Sequence, residues 1–152
     1  MPAGWPRGNT DLHVLPSSDA TANLDRPDAD GEQLHTLRTA LGKLDYDLVL
    51  IDAPPSLSGL TRSALVASDR AIVVAEPGAF AVNAANRLFA AIDDLRRREA
   101  GGLQPLGIVV NRVRPQSIEH QFRIKELRDM FGPLVLSPQL PERTSLQQAQ
   151  GA

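Results

Sequence analysis

Cysteine is missing from all 152 residues, which excludes disulfides, thiolate nucleophiles and Cys-based zinc sites while leaving the redox compartment open. Aromatics make up only 4%, so any core must rest on Leu, Val, Ile and Ala. Lysine occurs twice, at Lys43 and Lys125, against fourteen arginines, a bias that GC-rich coding alone can produce. No apolar run approaches the roughly 20 residues of a membrane span. Residues 1–9 hold Trp, Pro and Gly but no apolar stretch of the kind a secretory signal needs. The chain therefore reads as cytoplasmic.

What is present is ordinary for a globular protein of one domain: 42% hydrophobic, 22% charged, net charge −2. The charge is unevenly spread. Residues 1–60 carry nine acidic and four basic side chains, and residues 61–152 carry nine and twelve. Arg96, Arg97, Arg98, Arg112, Arg114, Arg123 and Arg128 supply most of that basic surplus. Solvated helix faces are the plain account of them; a surface for phosphate backbones is the functional one.

Strand and helix patterns alternate along the chain. Residues 17–30 form a polar connector. Asp30 with Gln33 makes a capping-box pattern, Leu34, Leu37 and Leu41 continue as a helical stripe, and Gly42 stops it. Leu60 to Ala67 reads as a short helix and Arg70 to Ala75 as a buried strand. Ala81, Ala85, Leu88, Ile92 and Leu95 share one face of a helix predicted over 80–99, ended by Gly101-Gly102. Leu106 to Val110 is a further strand. Ser117 caps a helix whose Ile124, Leu127 and Phe131 face inward, and Gly132-Pro133 terminates it. Leu134 to Leu136 reads as a last short strand, and Thr144 to Gln150 as the start of a final helix. This alternation predicts an α/β fold, a mostly parallel sheet with helices on both faces.

The most informative segment is Tyr46-Asp47-Leu48-Val49-Leu50-Ile51-Asp52-Ala53-Pro54-Pro55. Val49 to Ile51 suit a fully buried parallel strand, which Pro54 and Pro55 would stop. Asp52 would then stand at the carboxyl end, where open α/β sheets place ligands. A carboxylate there can hold Mg²⁺ near nucleotide phosphates, directly or through water. A buried strand followed by a turn-capping Asp is the plain alternative.

The stretch from Tyr46 to Val74 resembles the ParA/Soj/MinD family of P-loop ATPases, in which a strand ending in Asp-x-Pro-Pro leads into the switch II loop. The likeness continues through EPGAFAVNAANRLFAAIDDL, LGIVVNRV and LPERTSLQQAQGA, and LHVLP (Leu12 to Pro16) is similar to the strand preceding switch II. The resemblance implies ATP and Mg²⁺ as ligands, with Asp52 as the Walker B carboxylate, Asn111 and Pro141 lining the base pocket, and Pro54 and Pro55 as further cofactor-binding residues. It also implies a homodimer, a ParB-like adaptor, nonspecific DNA and a place at the nucleoid, with Arg112, Arg114 and Arg143 as the DNA-facing candidates. Relatives often carry an arginine near the position of Ser145, so the match there is displaced. For Asn111 and Pro141 an Asx turn and a plain turn proline remain the alternatives.

One family hallmark has no counterpart. The glycine-rich loop ending in Gly-Lys-Ser/Thr cradles phosphates with its backbone, but Lys43 is followed by Leu44 and Lys125 by Glu126. The chain is therefore expected to be a family member lacking that loop, a single domain over 1–152 without hydrolysis of its own. A non-catalytic module pairing with a complete subunit or with DNA is the alternative. A gap beside the Asp52 strand and the Arg70–Ala75 strand is the expected structural consequence. Tyrosine kinases of this fold carry a tyrosine cluster, and Tyr46 stands alone. MinD-type members end in a basic amphipathic membrane helix, which is not recognisable here, nor are the substrate-activating residues of cobyrinic acid or dethiobiotin synthetases. His13, His35 and His120 show no metal spacing.

Overall fold

Two parallel strands and the helices around them carry this computed structural model, which describes residues 12–16, 21, 25–26, 29, 31–54 and 56–145. Helix α1 (Gly31–Leu41) buries Leu34 and packs on α2 (Gly59–Ala67), whose Ala64 and Val66 are buried. Side chains lock the pair: Ser63 Oγ donates to the Leu34 carbonyl at 2.9 Å and Arg38 Nη1 to the Val66 carbonyl at 3.3 Å. Asp30, the expected cap of α1, lies outside the described residues. Asp25 caps α2 from a distance, its Oδ1 accepting from the Leu60 N–H at 3.0 Å. The expected stop at Gly42 holds, since its N–H closes on the Arg38 carbonyl at 3.0 Å.

Strand β1 (Arg70–Ala75) then pairs in parallel with β2 (Gln104–Val110). Ala71 lies opposite Pro105 and Ile72 opposite Gly107, so Leu106 is the extra residue of a bulge. Between the strands runs α3 (Ala81–Arg98), burying Ala81, Ala85, Ile92 and Leu95 on the face the sequence spacing defines. Leu103, wholly buried, leads into β2. Helix α4 (Ile118–Phe131) starts at Ser117, whose hydroxyl accepts from the His120 N–H at 3.3 Å. It ends at Gly132, where φ is +53°, a conformation that favours glycine. Ile124 and Leu127 are buried and Phe131 packs against Phe89 with ring centroids 5.4 Å apart. The core is thus aliphatic, with Leu34, Val66, Leu103, Ile108, Val110 and Leu127 as its largest fully buried side chains. Each contributes about 1.5–3 kcal/mol by leaving water.

Three expected strands come out differently. Val49 to Ile51 run without strand pairing and stand exposed, as does Asp52. Apolar composition favours a buried strand only when a neighbour satisfies the backbone N–H and C=O groups, and no described residue makes a backbone pairing with this run. Leu12 to Pro16 is likewise exposed and unpaired; its link to that run is a hydrogen bond between His13 Nδ1 and the Tyr46 hydroxyl at 2.8 Å. Leu134 to Leu136 is not a strand either. Pro133 lacks an N–H, and Gly132–Leu134 turns as a short 3-10 helix, leaving one parallel bridge from Val135 to Ile108. Of the final helix, residues 144–145 are helical and the rest lies outside the described residues.

The expected gap is visible from β1. Its partner on one edge is β2, and its other edge has no strand among the described residues. Ile72 and Val74 on β1 and Leu106 on β2 are exposed, while Ala71 and Val73 are buried against the core.

Candidate functional site

The carboxyl ends of β1 and β2 form a rim, and the loops leaving them are tied together there. Asn111 ends β2, and its N–H donates to the Ala75 carbonyl at 2.8 Å. Its side-chain amide makes no hydrogen bond to the described residues and is half-buried, free to offer a donor and an acceptor. Arg112 follows in a left-handed turn with φ +54°, which redirects the chain. Val113 is buried and forms a parallel bridge to Pro141. Its N–H donates to the Leu140 carbonyl at 3.0 Å, and its carbonyl accepts from the Glu142 N–H at 2.9 Å. Asn111 and Pro141 are thereby carried on two tied segments.

Charge at this rim is organised in pairs. Arg112 Nη1 donates to Glu76 Oε1 at 2.9 Å. Arg114 donates through Nε and Nη2 to the two oxygens of Glu142, at 2.5 and 3.4 Å. The hydrogen bond from Arg114 holds the Glu142 carboxyl below its ordinary range, with the Arg114 and Arg112 charges adding to it against partial desolvation. His120 Nδ1 accepts from the Arg114 backbone N–H at 3.1 Å, which requires that ring nitrogen to be unprotonated. A groove of about 440 Å³ opens beside the rim, lined by Val113, Ile124, Arg128, Gln139 and Pro141 among others.

The expected site residues do not all converge. Asn111, Arg112, Arg114 and Pro141 share the rim, and Arg143 follows Glu142 there, exposed. Asp52 does not stand at a strand end beside them, because the segment carrying it is outside the sheet. The Pro54 carbonyl accepts from the Thr61 hydroxyl at 3.4 Å, and Pro55 lies outside the described residues. Among the described residues no three His, Cys, Asp or Glu side chains gather for a metal. Mg²⁺ needs only one or two carboxylates when phosphates supply the rest, so the exposed Asp52 fits such a role chemically. The base end of a nucleotide fits the free amide of Asn111. The phosphate end finds no Gly-Lys-Ser/Thr loop in this sequence. Glu76 and Glu142, the partners of the two arginines, escape sequence reading because nothing local marks a pair 36 or 28 residues apart.

Among the described residues, no helix is long and apolar enough to cross a membrane. Residues 7–104 match the family model described as an AAA domain. The chain is 35% identical to the chromosome-partitioning ATPase Soj of Thermus thermophilus over 113 residues, 74% of this chain and 45% of that protein. It thus spans less than half the length of the curated relatives it matches. In shape it resembles the cobyrinic acid a,c-diamide synthase of Mycobacterium smegmatis with bound ATP analogue and magnesium. There the TM-score is 0.71 and identity 27%, covering 82% of this chain and 51% of that one. A plasmid partition protein from Borrelia burgdorferi, 24% identical with a TM-score of 0.70 over 86% of this chain and 54% of its own, shares the fold. The α/β fold with its parallel sheet is of the P-loop type, and the chain belongs to the ParA/MinD-type family of P-loop ATPases.

Proposed function

We propose that this chain acts in the partition of chromosomal or plasmid DNA, as the base-binding and switch-bearing part of a Mg-ATP-dependent ParA-like ATPase. Its partners in this reading are a second copy, a ParB-like adaptor and nonspecific DNA, at the nucleoid. The supporting comparisons are the partitioning ATPase Soj among its relatives and the ATP analogue and magnesium in the Mycobacterium smegmatis structure. The observation that carries the reading is the free amide of Asn111 at the end of β2, beside the segment bearing Pro141. Open α/β sheets bind ligands at that rim, and an amide can meet an adenine edge with a donor and an acceptor together.

In this assignment Asn111 and Pro141 hold the base. Asp52, with Pro54 and Pro55 behind it, supplies a carboxylate for Mg²⁺ through water. Arg112, Arg114 and Arg143 face DNA. Magnesium, when bound with the nucleotide, would supply charge neutralisation for phosphoryl transfer. The residues of this chain position the base and the ion, and we assign it no hydrolysis of its own.

Titrating the purified chain with a fluorescent ATP analogue in the presence of Mg²⁺ tests the assignment. Asn111→Ala should weaken binding about tenfold, the loss of roughly 1.4 kcal/mol expected for a base-directed amide, with an unchanged melting temperature. Affinity indifferent to that substitution removes Asn111 from the site. ATP turnover above an Asp52→Ala control would overturn the non-hydrolytic assignment. The exposure of Asp52, off the sheet and without a described partner, favours a second reading: a non-catalytic module that engages a complete subunit or DNA. It predicts salt-dependent DNA retention without any nucleotide.

A further inference from the structure

Two of the three arginines that face DNA in the proposed function, Arg112 and Arg114, are already occupied. Arg114 grips Glu142 with two donors, the fork geometry in which a guanidinium also takes a phosphate. Arg112 gives one donor to Glu76 at the end of β1. These pairs differ from the other arginine cluster of the molecule. Arg96, Arg97 and Arg98 meet Asp93 and Asp94 within the same helix, three or four residues away, as solvated helix faces commonly do. The rim pairs instead join separate segments. Glu142 is kept in place by its own backbone, since its N–H donates to the Val113 carbonyl between the two arginines.

We propose that Glu76 and Glu142 are built-in competitors for phosphate: they hold Arg112 and Arg114 in position and must be displaced when a polyanion binds, so the rim is charge-gated. The inference rests on the proposed DNA contact and adds its regulation. A carboxylate that already fills the guanidinium fork removes part of the electrostatic attraction and has to be exchanged for a phosphodiester oxygen. The depressed titration of Glu142 has the Arg114 hydrogen bond as its largest cause, in keeping with this pairing. Exposure of the pairs keeps the exchange reversible. The Arg114 side chain is 65% exposed and Arg112 50%.

The test is fluorescence anisotropy of a labelled duplex of arbitrary sequence with the whole chain, over a salt series. Glu142→Gln and Glu76→Gln should each tighten binding about threefold to tenfold. Glu119→Gln, which makes the same change in net charge on α4, should alter it less than twofold. Adding Arg114→Ala to Glu142→Gln should erase the gain. A melting curve for each variant checks folding, and Glu76, 61% exposed, provides an independent variant if Glu142→Gln is unstable. Equal gains from Glu119→Gln and Glu142→Gln would overturn the gate in favour of a general charge effect. Wild-type binding that Arg112→Ala and Arg114→Ala weaken but the glutamine variants leave unchanged would sink the gate and spare the DNA reading. No binding by wild type or by either glutamine variant would sink both.

Discussion

Glu142 and Asp25 show how single carboxylates are held charged by what sits beside them. Asp25 is lowered first by a hydrogen bond from Ser58 and then by the Leu60 N–H it caps. Glu142 is lowered first by its hydrogen bond from Arg114. A carboxyl group depressed in the folded state stabilises it above the unfolded chain's ordinary range, and that contribution is lost as pH falls through the folded value. Exposed pairs are worth little, so the effect is small but has a definite sign. The melting temperature of wild type should exceed that of Glu142→Gln by no more than about 3 °C at neutral pH. The difference should persist down to the ordinary glutamate range and vanish below it. A gap that widens on acidification would contradict the assignment of Arg114 as the cause.

At the scale of elements, β2 turns on one glycine. Gly107 has φ +150°, and a methyl group there would sit 2.5 Å from the Leu134 carbonyl oxygen. It lies just past the bulge at Leu106, where the segment ending in the Val135 bridge crosses close by. Gly107→Ala should therefore cost about 1–3 kcal/mol or more. Gly102→Ala, with nothing near its added methyl, should stay within about 0.5 kcal/mol. Urea titration of the two variants reads the contrast, and equal stabilities would remove the crowding argument. Elements defined by local signals were legible in the sequence. Ser117 starts α4 with its hydroxyl, Gly132 ends it through its φ, Gly42 closes α1 with its N–H on the Arg38 carbonyl, and the spacing of Ala81, Ala85, Ile92 and Leu95 marks the buried face of α3. Strands were legible only where a partner exists: Arg70 to Ala75 pairs with β2, whereas Val49 to Ile51, equally apolar, does not. Of the site, Asn111 and Pro141 were readable as strand-end and turn residues. Their glutamate neighbours were not, because their meeting with Arg112 and Arg114 depends on which loops the sheet brings together.

At the scale of the whole fold, the consequence of a sheet with two strands among the described residues is exposed apolar strand surface. Ile72 is 51% exposed and Val74 63%, both on β1, whose second edge is unpaired among the described residues. Leu48 and Leu50 add further apolar surface that no described strand covers. The hydrogen bonds show which way the edge faces. The carbonyls of Asp69 and Ala75 accept from Gln104 and Asn111, so odd-numbered positions of β1 aim their backbone groups at β2 and even-numbered ones aim away. Ile72 and Val74 thus present both side chains and backbone groups to whatever approaches, a pattern that templates edge-to-edge association. Lysines on such an edge oppose it by charge while keeping the strand intact. The double substitution Ile72→Lys with Val74→Lys should leave the melting temperature within about 4 °C of wild type, since neither side chain is in the core. Light scattering during concentration should fall clearly. If scattering is unchanged, the association-prone surface lies elsewhere; if the variant loses its cooperative melt, the two side chains support the core after all.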